Sequence, residues 1–369
     1  MKITLFRDLP TEGWPSMERY ADELTAALTQ LGGDVRPFVT ARPLPNLRGP
    51  LGAWFNYLWR STVYPLDARR QQGDVYHILD HSYAHLIHAL DPRCTVVTCH
   101  DLAPLALDQR GRGLSRRLWD HSFQSMLRAA HIVADSTHTR DEIVRHSPYP
   151  AGQITVVPLA VSPAFFQRAD PADIQGLRDR HHFADRPMLL HVGSCQPRKN
   201  IEALLRAMPA LGGDPIFVQI GGCFSPAQAQ QIQALGLSAR VLQIHSASER
   251  ELRLWYQAAD VFVFPSLYEG FGLPVLEAMA SGVPVVCTNT SSLPEIADDA
   301  ALVIDPQNAH ALATAIRSVL TGPALRGLLR ERGRARSWKF TWEQTARKTL
   351  TVYQTVFNLP HALPSHPPR

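Results

Sequence analysis

Short apolar runs alternate with amphipathic stretches along almost the whole chain. "KITLF" at residues 2–6 reads as a buried strand, and "SMERYADELTAALTQLG" as an amphipathic helix that stops at glycine. "DVRPFV", "DVYHI", "TVVTC", "HIVADS" and "ITVVPLAV" continue the strand series. Helices are predicted over "SRRLWDHSFQSMLRAA" and "THTRDEIVRH". Around residues 162–187 the pattern turns polar and proline-marked. It then restarts with "MLLHV", "IFVQIGG", "RVLQI", "DVFVFPS", "VPVVC" and "ALVID", again separated by helical stretches. This alternation predicts an α/β protein with parallel sheets wrapped by helices. The chain is read as two doubly wound units, 1–165 and 166–340, then a helix over 341–358 and a disordered tail over 359–369.

Composition narrows the class. A length of 369 residues favours two domains, and 45% hydrophobic with 19% charged residues fits a globular chain. The formal net charge of +4 suits acidic ligands such as phosphates. No dense Lys/Arg tract with interleaved aromatics occurs, so no nucleic-acid partner is expected. Five scattered cysteines without a Cys-x-x-Cys read as small buried hydrophobes in a reducing compartment. The opening "MKITLFRDLP" is too short in apolar residues for a signal peptide, and no run approaches the ~20 residues of a membrane span. A cytoplasmic location is expected.

In a doubly wound sheet, ligands bind at the carboxyl ends of the strands, so the chemistry is sought in the loops there. In "DVFVFPSLYEGFGLPVLEAMA", Glu269 follows a buried strand. Gly270 and Gly272 let backbone approach a ligand closely. The helix starting near Leu273 and Pro274 offers free N–H groups to an anion, phosphate above all. Glu277 lies about a turn into it, and a carboxylate can accept hydrogen bonds from two vicinal hydroxyls. One loop could thus hold a phosphate flanked by two polyols, which describes a nucleotide-sugar. Either glutamate alone reads equally well as a turn cap or a helix-dipole acid.

Three more loops carry candidates. In "VGSCQPRKN", Arg198 and Lys199 precede a helix, with Asn200 as its N-cap, and two cations there could neutralise a diphosphate. In "VVTCHDLAPL", His100 could bond a sugar hydroxyl and Asp101 could orient it. Ser291, Ser292 and Leu293 could present amides to phosphate. The histidines of "YHILDHSYAHLIHAL" spread over strand, loop and helix without a ligand motif, so no metal site is assigned. His81 opens a loop on the expected ligand side. The aromatics Trp54, Phe55, Tyr57, Trp59 and Tyr64, with the arginines of "RGRGLSRR", form a candidate peripheral membrane contact, against the blander reading of a core-facing helix beside a solvated one.

The string "PSLYEGFGLPVLEAMASGVPVV", with Glu269 and Glu277 eight positions apart, resembles the signature of the retaining glycosyltransferases of family 4. "HVGSCQPRKNIEALLRAM", "LWYQAADVFVFPS", "CHDLAPL", "VADSTHTRDEI" and "VVPLAVSPAF" follow the same family's order. The resemblance implies a GT-B fold: two facing Rossmann-like domains, an inter-domain cleft and a C-terminal helix that crosses back to the first domain. It implies catalytic roles for His100, Glu269 and Lys199. Donor binding would fall to Arg198, Ser194, Gly270, Phe271, Gly272, Leu273 and Glu277, and the acceptor side to Gly13, Asp101 and His81. The implied reaction moves a hexose, mannose from GDP-mannose favoured, from a nucleotide-diphosphate sugar to a glycan or lipid-linked acceptor with retained configuration. No cofactor and no metal are expected, and no Asp-x-Asp occurs in the chain. Two departures bear on substrate. Gly193–Ser194 stands where many relatives have Gly-Arg, and "RDLPTEGWPSMERY" replaces a glycine-rich loop after the first strand. A nucleotide-sugar epimerase and a non-catalytic nucleotide-sugar-binding regulator are the competing functions.

Overall fold

The computed structural model describes residues 1–40, 49–183 and 185–359, without the side chains of 15, 49–51, 53 and 54. The expected tail beyond 359 and the side chain of Trp54 therefore lie outside the described residues. The chain divides into two compact units. The first comprises Met1–Leu159 with the helix Trp342–Phe357, and the second Ala160–Thr341. Residues 160–165, grouped by the sequence reading with the first half, pack in the second unit, where the Phe165 ring meets Tyr256 at 5.7 Å.

The first unit holds β1 (Lys2–Phe6), β2 (Asp34–Phe38), β3 (Val75–Ile78), β4 (Thr95–Cys99), β5 (His131–Ala134) and β6 (Ile154–Val156) in the order β2-β1-β3-β4-β5-β6. All pairs are parallel. The inner strands are apolar almost throughout because both faces are covered. Ile3, Leu5, Val75, Val96 and Val133 join Tyr20, Leu24, Val352 and Tyr353 in one core. Phe6, Ile78, Val97, Ile132 and Ala134 join Leu86, Phe123 and Ile143 in another. Pro37 sits in β2, an edge strand, where its missing N–H breaks no ladder.

The helix Trp342–Phe357 buries Ala346, Thr349, Val352, Tyr353 and Val356, a single helical stripe. Tyr353 Oη lies 2.6 Å from His77 Nδ1, and His77 Nε2 lies 2.8 Å from Thr98 Oγ1. Burial pushes the His77 imidazole down to about 3, so it is a neutral core residue. His85 bonds the Arg60 carbonyl and His88 the Ser125 hydroxyl. Among the described residues no group of three or more His, Cys, Asp or Glu is placed to hold a metal ion. The aromatic segment is helical over Gly49–Leu58 and Tyr64–Ala68, joined by a π-helical turn, Trp59–Val63. Tyr64 is fully buried and Tyr57 exposed, so the aromatics do not form one outward face. No helix among the described residues is long and apolar enough to cross a membrane.

The second unit holds β7 (Met188–Val192), β8 (Ile216–Ile220), β9 (Val241–Ile244), β10 (Val261–Phe264), β11 (Val285–Thr288) and β12 (Ala301–Ile304) in the order β12-β11-β10-β7-β8-β9, all parallel. The strand order reverses between β7 and β10. That reversal opens a crevice at their carboxyl ends.

Candidate functional site

The loops after β7 and β10 meet at that crevice. Lys199 Nζ lies 2.5 Å from Glu269 Oε1, and Arg198 Nη1 lies 3.4 Å from Glu269 Oε2. Lys199 is 6% and Glu269 7% exposed, which makes this a buried, charge-assisted pair. Burial alone would raise the Glu269 carboxyl, but Lys199 and Arg198 outweigh it and hold the group below the ordinary carboxylate value. The Lys199 ammonium also sits 4.8 Å from the centre of the Phe264 ring.

Backbone geometry explains how the pair is held. Gly272 has φ +108°, and a Cβ there would come within 2.8 Å of Leu293 Cδ2, so only glycine fits. The helix Leu273–Ala280 follows directly, with Pro274 in its first turn. Ser292 Oγ donates to the carbonyls of Glu269 (3.0 Å) and Phe271 (2.7 Å), while the Glu269 amide donates to Ser291 Oγ at 2.8 Å. The two serines were expected to offer amides to phosphate. Their hydroxyls pin the Glu269 loop. Asn200 starts the helix Ile201–Ala207 but does not cap it with its side chain. Its φ is +52°, and Nδ2 donates to the carbonyls of Pro265 and Pro306, tying the basic loop to its neighbours.

The other donor-side residues gather nearby. Glu277 is buried and accepts from the Tyr256 hydroxyl at 2.9 Å. Phe271 is buried edge-on to Phe340, Gly270 is buried and Leu273 half-buried. Ser194 is half-buried beside Gly222. His191 went unnoticed in the sequence. Its Nδ1 lies 2.7 Å from Gln219 Oε1, and its Nε2 has no partner among the described residues. Burial and Lys199 push its imidazole down to about 3, so it does not compete with Lys199 as a cation. The one available signal was a histidine inside the apolar run "MLLHV".

A second cluster lies in the first unit, where strand order reverses between β1 and β3. His100 Nδ1 lies 2.7 Å from Asp135 Oδ2, and Nε2 lies 2.9 Å from the Leu79 carbonyl. The Tyr20 ring stands edge-on at 5.0 Å. Asp101 was expected to orient His100. It accepts instead from the Ala103 amide at 2.9 Å, at the start of the next helix, while Asp135, just past the neighbouring strand, takes the orienting position. Gly13 is exposed, with φ +64°, and closes the turn Pro10–Glu12; a side chain there would touch nothing.

His81 lies beside Asp80, at 3.4 Å, and lines a cavity of about 510 Å³ with Tyr57, His85, Trp119, His121 and Phe123. Asp8, at the end of β1, was not identified from sequence. Burial and Asp80 push its carboxyl up to about 8, against the pull of His100. Nothing in "FRDLP" distinguishes it from a solvated loop acid.

The family model described as Glycosyl transferases group 1 matches residues 174–336, and that described as Glycosyltransferase Family 4 matches residues 17–165. The O-antigen chain mannosyltransferase B of Escherichia coli is 32% identical over 302 residues, covering 79% of this chain and 78% of that protein. The serotype-specific mannosyltransferase WbdA of E. coli is 30% identical over 270 residues, covering 70% of this chain but 33% of that much longer protein. Among solved structures, sucrose-phosphate synthase from Thermosynechococcus elongatus superposes with a TM-score of 0.78 at 22% identity, covering 97% of this chain and 99% of that one. Anabaena HepE in complex with UDP-glucose gives 0.77 at 18% identity, covering 96% and 100%. Two six-stranded parallel sheets, both family models and the length of the match to the mannosyltransferase place this chain among the family-4 glycosyltransferases of the GT-B fold.

Proposed function

We propose that this glycosyltransferase moves a hexosyl group, mannosyl from GDP-mannose in the favoured reading, from a nucleotide-diphosphate sugar to a glycan or lipid-linked acceptor. The anomeric configuration is retained and no metal ion takes part. The observation that carries the reading is the buried Lys199–Glu269 pair, flanked by Arg198, at the strand-order reversal of the second unit. The mannosyl preference rests on the names of the two E. coli relatives.

As the bond from the sugar C1 to the diphosphate oxygen breaks, negative charge grows on the leaving group. Lys199, Arg198 and the N-terminal amides of Leu273–Ala280 are fixed donors for that charge. Glu269 balances the two cations before the donor arrives and takes a donor-sugar hydroxyl when it does. Glu277, held by Tyr256, takes the ribose hydroxyls. The acceptor hydroxyl attacks C1 from the face that the phosphate leaves, and its proton passes to the departing phosphate oxygen. Glu269 and Glu277 are committed to binding, so no covalent glycosyl-enzyme is invoked. His100 is assigned to the transferred sugar, and the cavity beside His81, lined by aromatic rings and imidazoles, to the acceptor.

A thermal-shift screen of GDP-, UDP- and ADP-sugars, followed by NMR of the product's anomeric centre, tests the proposal. GDP-mannose alone should raise the melting temperature, and an α-linked product should form from the α-linked donor with chelator present. Inverted product, or turnover only with added divalent ion, overturns the mechanism. An isomerised sugar nucleotide without acceptor indicates the epimerase, and binding without turnover the regulator.

A further inference from the structure

The helix Pro323–Ser337 carries arginines at 326, 330, 332, 334 and 336. Three are held by the protein. Arg326 donates to the Leu320 carbonyl at 3.3 Å, Arg332 pairs with Asp299 and Arg336 with Asp298, both at 3.3 Å. Arg330 and Arg334 stand one turn apart on one face, and their guanidinium groups have no hydrogen bond or ion pair among the described residues. Together with Arg168, equally unpaired, they line a cavity of about 460 Å³ within the second unit. Its lining contains one acid, Glu331, which pairs with none of them.

Two further features belong to the lining. Ser281 lines the same cavity, is 5% exposed, and its hydroxyl has no hydrogen-bond partner among the described residues. The Arg334 guanidinium lies against Gly282, where a Cβ would come within 2.7 Å of Nε; the glycine leaves room for the flat fork. Like charges at i and i+4 repel, and a third guanidinium in the same concavity adds to the positive potential. A buried hydroxyl without a partner is costly as well. Both costs are removed by an anion, and guanidinium forks match phosphate oxygens in bidentate fashion.

We propose that this concavity is a second anion site, built for a phosphate group, with Arg168, Arg330 and Arg334 supplying charge and Ser281 a buried donor. It lies at the far end of the helix Leu273–Ala280 from Gly272, about 12 Å along the axis. The same chemistry serves a soluble phosphorylated metabolite or the headgroup of an anionic lipid.

Hydrogen exchange of the full chain, read by mass spectrometry at constant ionic strength with and without pyrophosphate, tests the site. Pyrophosphate should slow exchange over residues 165–175 and 326–337. The Arg330→Gln/Arg334→Gln variant should bind roughly tenfold or more weakly while melting no lower than the wild type. Co-sedimentation with phosphatidylglycerol vesicles separates the sources: binding that the double variant loses assigns a lipid headgroup. Pyrophosphate protection with vesicle binding absent or indifferent to the variant assigns a soluble ligand. Unchanged exchange over both segments with no variant-sensitive vesicle binding overturns the proposal, as does a double variant in which these two segments are protected at the same pyrophosphate concentration as in the wild type.

Discussion

His100 is doubly bound. Its Nδ1 lies 2.7 Å from Asp135 Oδ2 and its Nε2 lies 2.9 Å from the carbonyl of Leu79. With Asp135 ionised both partners accept, and the pair is then completed by an imidazolium with a proton on each nitrogen. Burial opposes that charge, but Asp135 outweighs it and pushes His100 up to about 10. Asp135 is itself pushed up by burial against the pull of His100. The Asp135 charge and hydrogen bond favour the charged imidazole over the burial that opposes it.

A pH dependence follows. A histidine raised above its unfolded value of ~6.5 contributes stability that is fully present below that value and lost as pH rises toward about 10. Urea unfolding at pH 7 and pH 10 should show a larger loss for the wild type than for His100→Gln. In Asp135→Asn, NMR titration of the His100 ring should show its midpoint falling toward the ordinary histidine range. A midpoint unchanged by the substitution would refute the assignment.

The Lys199–Glu269 pair predicts an asymmetry. Lys199→Ala leaves a buried carboxylate with only Arg198 beside it, and should cost about 3–5 kcal/mol of stability as well as transfer. Lys199→Met/Glu269→Gln removes both charges and should recover much of that stability while staying inactive. Denaturant midpoints and a transfer assay separate the two effects. Additive losses of stability would mean that the pair is not coupled.

Gly272→Ala should disturb donor binding through the backbone. The new methyl meets Leu293 at 2.8 Å and the residue must keep φ near +108°. A cost of about 1–3 kcal/mol is expected, with weaker nucleotide binding by calorimetry. Leu293→Ala in the same chain relieves the clash but not the dihedral, so recovery should be partial. Full recovery would show that only space is at stake.

Tyr353→Phe removes the hydroxyl that meets His77 and leaves Nδ1 unpaired in the core. The loss should be about 1–3 kcal/mol, read as a lower urea midpoint with transfer unchanged at low temperature. An unchanged midpoint would place the bond outside the stabilising set.

Much of this was written in local sequence. The apolar runs give the strands, because a parallel sheet covered on both faces leaves few polar positions inside it. Glu269, Gly272 and Glu277 are close in sequence, so a single loop reveals them. What sequence hides is partnership at a distance. Asp135 and His100 follow adjacent strands and lie 35 residues apart, and the competing neighbour Asp101 is engaged by a local amide. Asn200 has the composition of a cap, but its left-handed backbone turns the amide toward Pro265 and Pro306. Asp8 becomes unusual through burial and through Asp80, far along the chain.

The membership of Trp342–Phe357 in the first unit orders synthesis. That unit's core includes Ala346, Val352, Tyr353 and Val356 beside Ile3 and Leu5. On a growing chain the first sheet therefore waits, with one flank bare, until residues 342–357 are made. Residues 160–341 need no such delay and can be finished beforehand. A stop codon placed before residue 342 would thus harm the opening half of the protein more than the half in which it falls.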